Sequence, residues 1–155
     1  MPSPVVRLFV RALVERPARR TGPAALIERL AGGLGPLLDR FRAAAAQPKA
    51  APTLRHIVAI ERWGQGRLRV ALGDRPFVRD ESGAYAPDPD APLEQLLDDL
   101  RDARAETVAL ARRVAAEGRG DVQVDHNSLG PLTADGWLQY LNLHADFEAK
   151  RVRGR

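Results

Sequence analysis

GDRPFVRDESGAYAPDPDA, residues 73–91, holds three prolines, two glycines and several aspartates, and shows no sustained hydrophobic period. Such a stretch is loop, and a connection of this length in a small domain serves topology or a site. On both sides of it the pattern is helical. Thr53 is placed to cap a helix over 54–72, which Gly73 ends. Pro92 stands at the favoured first position of a helix over 92–116. Its buried stripe is Leu93, Leu96, Leu97, Leu100, Thr107, Leu110, Ala111 and Val114. The loop is therefore a crossover between two long helices.

Further out, residues 24–46 read as a helix that Gly32, Gly33, Gly35 and Pro36 should kink or split. QPKAAP (47–52) is a connector. PVVRLFVRALVE (4–15) is apolar except for Arg7, Arg11 and Glu15, which predicts an otherwise buried helix with one polar stripe. With the linker that follows it fills residues 1–20. Residues 117–132 are loop, and DVQVD (121–125) is too short and solitary to count as a strand. Thr133 caps the last helix, 134–152, with Asp135 in its first turn near the positive helix end. The expectation is one all-α domain over 1–155. It is a four-helix bundle with a long crossover between its second and third core helices, plus an N-terminal helix.

Composition narrows the function. The 155 residues carry 24 Lys+Arg against 20 Asp+Glu, a formal charge of +4, and no cysteine. A disulfide framework, a thiolate zinc site and a cysteine nucleophile are excluded. Only Lys49 and Lys150 are lysines, so the arginine excess reads as coding bias spread over solvated faces. The one basic cluster, Arg16, Arg19 and Arg20, has no aromatic stacking partners, and no nucleic-acid partner is expected. No apolar run is long enough to span a bilayer. Arg7 and Arg11 interrupt any signal-peptide core. Residues 4–15 suit either a membrane-surface helix or a helix packed on the bundle, and the packed helix is preferred, leaving no membrane partner. Ser3, Ser82 and Ser128 lack a neighbouring base. GGLG (32–35) lacks the strand and the Lys-Ser/Thr ending of a phosphate loop.

The chemistry concentrates on two helices. On a 3.6-residue wheel Asp135, Gln139, Asn142, Asp146 and Lys150 form the solvent stripe of the last helix. Trp137, Leu141, His144 and Glu148 fall opposite. An unpaired carboxylate on a core face is too costly to keep charged, so Glu148 must be protonated, paired, metal-bound or near solvent. In the 54–72 helix His56 lies with Ile60 and Trp63 on the apolar side. Two of the three histidines thus aim inward from different helices, as metal ligands in bundles do. Two His and one carboxylate leave open positions and suit zinc, nickel, iron or manganese. The alternative is a core histidine bonded to backbone, with Glu148 near solvent. Trp63 is a candidate pocket wall for a bound cosubstrate, and Arg67, one turn on, a candidate partner for an anionic one.

LRHIVAIERW (54–63), the Pro- and Asp-rich crossover, LEQLLDDLRDARAETVALARRV (93–114) and HNSLGPLTADGWLQYLNLHADFE (126–148) together resemble the DinB-like superfamily of small bacterial metalloproteins. The resemblance implies a four-helix bundle, frequent homodimers, a cytoplasmic location and a divalent-metal site. That site takes one His from the second helix and an HxxxH pair from the fourth. His56 and His144 match; position 148 departs, carrying Glu148 in place of His. His126 matches a turn histidine of structural role. Relatives of this kind include thiol-dependent transferases and metal-dependent hydrolases of small molecules. The resemblance implies a low-molecular-weight thiol cosubstrate, and the absence of cysteine fits a thiol supplied from outside without demanding one. The other expectation is a non-catalytic dimerisation module with a degenerate site.

Overall fold

The computed structural model describes residues 1–152, and helix predominates among them. Helix α1 is an unbroken run of Pro4–Val10, a π-helical turn Arg11–Glu15, and Arg16–Thr21. Helices α2 (Pro23–Ala43), α3 (Ala50–Leu72), α4 (Leu93–Ala116) and α5 (Ala134–Ala149) follow. Strands β1 (Gln123–His126) and β2 (Gly130–Thr133) lie between α4 and α5. No described helix is long and apolar enough to cross a membrane.

Helix α3 packs on α4 and α5, and α2 packs on the same two. Two apolar clusters fill the space between them. One holds Trp63, Trp137, Leu30, Leu138 and Val114; the other Phe41, Leu54, Leu97, Leu100 and Ala145. Each fully buried leucine contributes about 2 kcal/mol relative to exposure. Where α3 meets α5, a Cβ at Gly64 would stand 2.6 Å from a methyl of Leu141. A larger residue there would force the Leu141 side chain to move.

Between the clusters lies a buried polar crossing. Arg104 of α4 donates from Nε to Glu61 Oε1 at 2.7 Å, from Nη2 to Oε2 at 3.3 Å, and from Nη1 to the Leu30 carbonyl at 2.9 Å. Glu61 and Arg104 are each 1% exposed. Gln65 donates to the Ala103 carbonyl at 2.7 Å beside them. Three helices are thereby fixed in one register, because sliding any of them would strand a buried charge.

Several expectations need correction. The stretch containing DVQVD is a strand after all: β1 pairs antiparallel with β2, from Gln123↔Thr133 to His126↔Gly130. Gly130, at φ 80°, closes the three-residue hairpin loop in a conformation open chiefly to glycine. Helix α2 runs unsplit through Gly32, Gly33, Gly35 and Pro36. Helix α3 starts at Ala50, three residues before Thr53, with Pro52 tolerated in the first turn, where its missing N–H has no intrahelical partner to lose. Helix α5 ends at Ala149 rather than Val152, and Thr133 caps it as expected, accepting from Gly136 N at 2.9 Å.

The largest correction concerns α1. Its buried side is a narrow row, Val10, Val14 and Ala18, with Val6 partly covered. Residues four apart overshoot a full α-helical turn by about 40°, and the wider π turn takes up part of that drift. Val5, Leu8, Phe9 and Leu13 remain outside, at 77%, 68%, 47% and 47% exposure. Glu15 leaves the polar stripe and turns inward. Its two oxygens accept from Thr133 N at 2.9 Å and Thr133 Oγ1 at 2.8 Å. Gln139 is buried, and Asp135 is half-buried with the Gly120 segment packed against its carboxylate, so neither belongs to a solvent stripe. Burial, with Asp121 and Glu15 nearby, raises the Asp135 pKa above the ordinary carboxylate value.

Candidate metal centre

His56 stands in the second turn of α3, and His144 and Glu148 stand one turn apart on α5. The α3–α5 packing brings them together. One ligand atom from each lies within 4.8 Å of the others. The Nε2 atoms of His56 and His144 are 3.2 Å apart, with ring centroids at 5.0 Å. Three donors each 2.0–2.2 Å from a tetrahedral ion would be roughly 3.4 Å apart. The imidazoles meet that requirement, and a Glu148 oxygen lies within 4.8 Å of both.

Exposure rises across the trio. Glu148 is 9% exposed, His144 is half-buried and His56 is exposed. This corrects the expectation that His56 points into the core: Ile57 and Ile60 are buried while His56 sits at the surface edge of the helix pair. The centre is therefore at a rim, reachable by solutes. Glu148 Oε2 accepts from Arg151 at 3.2 Å, so its charge is already balanced. Burial, then the His56, His126 and Arg151 charges, lowers the His144 pKa to about 4. At neutral pH His144 is an uncharged imidazole with a lone pair to offer.

An aromatic wall runs back from His144. Its ring is 5.8 Å from Tyr140, which meets His126 at 4.8 Å and Trp137 at 5.5 Å. Burial, then the charge of Glu148, raises the Tyr140 pKa to about 12, so its hydroxyl stays neutral. His126 Nδ1 accepts from Ser128 N and Leu129 N, both at 3.1 Å, which puts the neutral ring's proton on Nε2. That nitrogen is buried with no hydrogen-bond partner among the described residues. The Trp63 and Tyr140 rings pack against the His126 ring in T-shaped arrangements, with centroids 5.0 and 4.8 Å away. Burial, then Arg67, lowers the His126 pKa to about 4.

Beside His144 opens a groove of about 420 Å³ lined by Phe9, Leu13, Tyr140, Leu143, Phe147 and their neighbours. None of these residues was singled out in the sequence. Their signal was there as two i, i+4 apolar pairs, Phe9 with Leu13 and Leu143 with Phe147, on faces that both helices leave outside.

Trp63 and Arg67 occupy a different place from the trio. Arg67 is fully buried between the Trp63 and Phe77 rings, each 4.9 Å from its guanidinium carbon. It pairs with Asp80 Oδ1 at 2.9 Å and donates to the Val78 carbonyl at 3.0 Å. Trp63 Nε1 donates to Asp80 at 3.0 Å, and the Tyr85 hydroxyl also reaches that carboxylate. Burial opposes the charge on Asp80, but Tyr85, Arg67 and Trp63 outweigh it and hold its pKa below the ordinary value. Both residues therefore tie the 73–91 crossover to α3, and the Arg67 charge is committed to Asp80 rather than to a soluble anion. Asp80 was the unread partner. One aspartate among several in an aperiodic loop carries no local mark of its role.

Comparison of the chain with protein-family models, curated proteins and solved structures gave no match.

Proposed function

We propose that the chain is a divalent-metal protein of the DinB-like kind, a four-helix bundle with a long crossover, holding its ion through His56, His144 and Glu148. The convergence of three ligand atoms from two helices within 4.8 Å carries this reading. The lowered His144 pKa supports it, because a metal ligand must be unprotonated at working pH. Bound there, a transition metal would lower the pKa of a thiol or water and present it as a nucleophile. The reaction class is therefore thiol-dependent transfer, with the thiol supplied as cosubstrate, or hydrolysis of a small molecule. In either case the chain's own contribution is positional. His56 and His144 fix two coordination directions, Glu148 supplies the neutralising charge, and the apolar groove holds substrate against the open side.

Elemental analysis of untagged protein, followed by calorimetric titration with zinc and nickel, tests the assignment. About one equivalent is expected, and His56→Ala should lose it. Failure to retain either metal removes the reading.

The Glu148–Arg151 ion pair favours one alternative, a non-catalytic interaction module with a degenerate site. There the imidazoles share a proton with each other, and Arg151 keeps the carboxylate. Under it Arg151→Ala leaves metal binding absent, whereas a metal site would bind more tightly once its carboxylate is released.

A further inference from the structure

We propose that the outer face of α1 is a docking surface for an anionic lipid bilayer. The face combines exposed apolar side chains with a local excess of arginine. Val5, Leu8, Phe9 and Leu13 are exposed on α1, and Leu143 and Phe147 on α5 continue the same apolar patch at 37% and 64% exposure. Phe9, Leu13, Leu143 and Phe147 line one groove, so the patch is continuous across the two helices. Contiguous apolar surface of this kind marks an interaction site.

Charge accompanies it. Residues 1–21 hold five arginines, Arg7, Arg11, Arg16, Arg19 and Arg20, against the single acid Glu15. The remainder of the chain has nineteen cations and nineteen acids, so the whole formal charge of +4 resides on this helix. Glu15, moreover, is turned inward onto Thr133. Along the outward side the apolar residues occupy the first turns, and Arg16, Arg19 and Arg20 follow on the last.

Three occupants compete for such a face. A nucleic acid would answer the arginines but leave six large apolar side chains in water. A second copy related by a two-fold axis would cover the apolar row, yet bring one +4 helix against another. An anionic bilayer answers both, since apolar side chains enter the acyl boundary while arginines meet the headgroups. The sequence pattern favours packing this helix on the bundle over laying it on a membrane, and the exposure of Val5 and Leu8 reverses that preference. Docking would also bring the groove beside His144 to the membrane surface, although the surface stands without any metal bound.

The test is flotation of the full chain with vesicles at 0.1 M salt. Phosphatidylcholine vesicles containing 30% phosphatidylglycerol are compared with phosphatidylcholine alone. Partition at least tenfold stronger onto the anionic vesicles is expected, fading at 0.5 M salt and unaffected by a chelator. Val5→Asp with Leu8→Asp, at positions already exposed, should remove binding with an unchanged melting temperature. Arg16, Arg19 and Arg20 changed together to Gln should weaken it. Equal partition onto both vesicle types, or none, overturns the proposal, as does undiminished binding by the Val5/Leu8 variant. A dimer in sedimentation that the same variant dissolves would assign the face to a second copy and overturn it equally.

Discussion

Two imidazole nitrogens 3.2 Å apart can share one proton or one cation, but a proton on each sets two charges face to face. His56 and His144 are therefore a site whose occupancy is decided by what the third residue contributes. Glu148 gives a negative charge but is drawn toward Arg151. Glu148→His should tighten zinc binding roughly tenfold or more, because imidazole is the better donor for that ion and does not pair with Arg151. Calorimetric titration of both forms checks this, and an unchanged or weaker affinity would count against the trio as ligands. The buried histidines also set a pH dependence. His126 and His144 titrate near 4 when folded and near 6.5 when unfolded, so the unfolded chain binds more protons in between. Their stabilising effect is complete above pH 6.5 and falls as the pH drops toward 4. Urea midpoints measured at pH 7, 6 and 5 should decline steadily, before most carboxylates titrate.

Among the helices, the Glu61–Arg104 crossing is the place where register is specified. Glu61→Ala should cost about 3–5 kcal/mol, since it leaves Arg104 charged and buried without its partner. Glu61→Leu combined with Arg104→Met should cost much less, because both charges leave together. Denaturant midpoints of the two variants separate these outcomes, and equal losses would show that packing volume, not charge, is the cause. Helices α3 and α4 were legible in the sequence because each is a long helical run with an end signal, Gly73 or Pro92. The hairpin was not. Four-residue strands give periodicity too little length to register, and only HNSLG, with glycine at the turn, hinted at it. Helix α1 misled for a different reason: a local pattern shows which residues are apolar, not whether a neighbour exists to cover them.

Taken whole, the molecule holds α1 by the narrow row Val10, Val14 and Ala18 and, among the described residues, by the hydrogen bonds of Glu15 to Thr133. Glu15→Ala should cost roughly 1.5–3 kcal/mol, the range for hydrogen bonds to a charged group. Amide exchange should then accelerate over residues 4–21 and stay slow in α3 and α4, as measured by mass spectrometry. Uniform acceleration would instead make α1 part of the cooperative core. The sequence by itself determined the helical class, the long loop between α3 and α4 and the Thr133 cap, because these follow from period, punctuation and residue chemistry within one segment. Only the tertiary structure decided that His56 sits at a rim, that Arg67 answers to Asp80, and that α1 keeps an apolar face outside. Each of those depends on which surfaces meet, and burial and charge pairing belong to two segments at once.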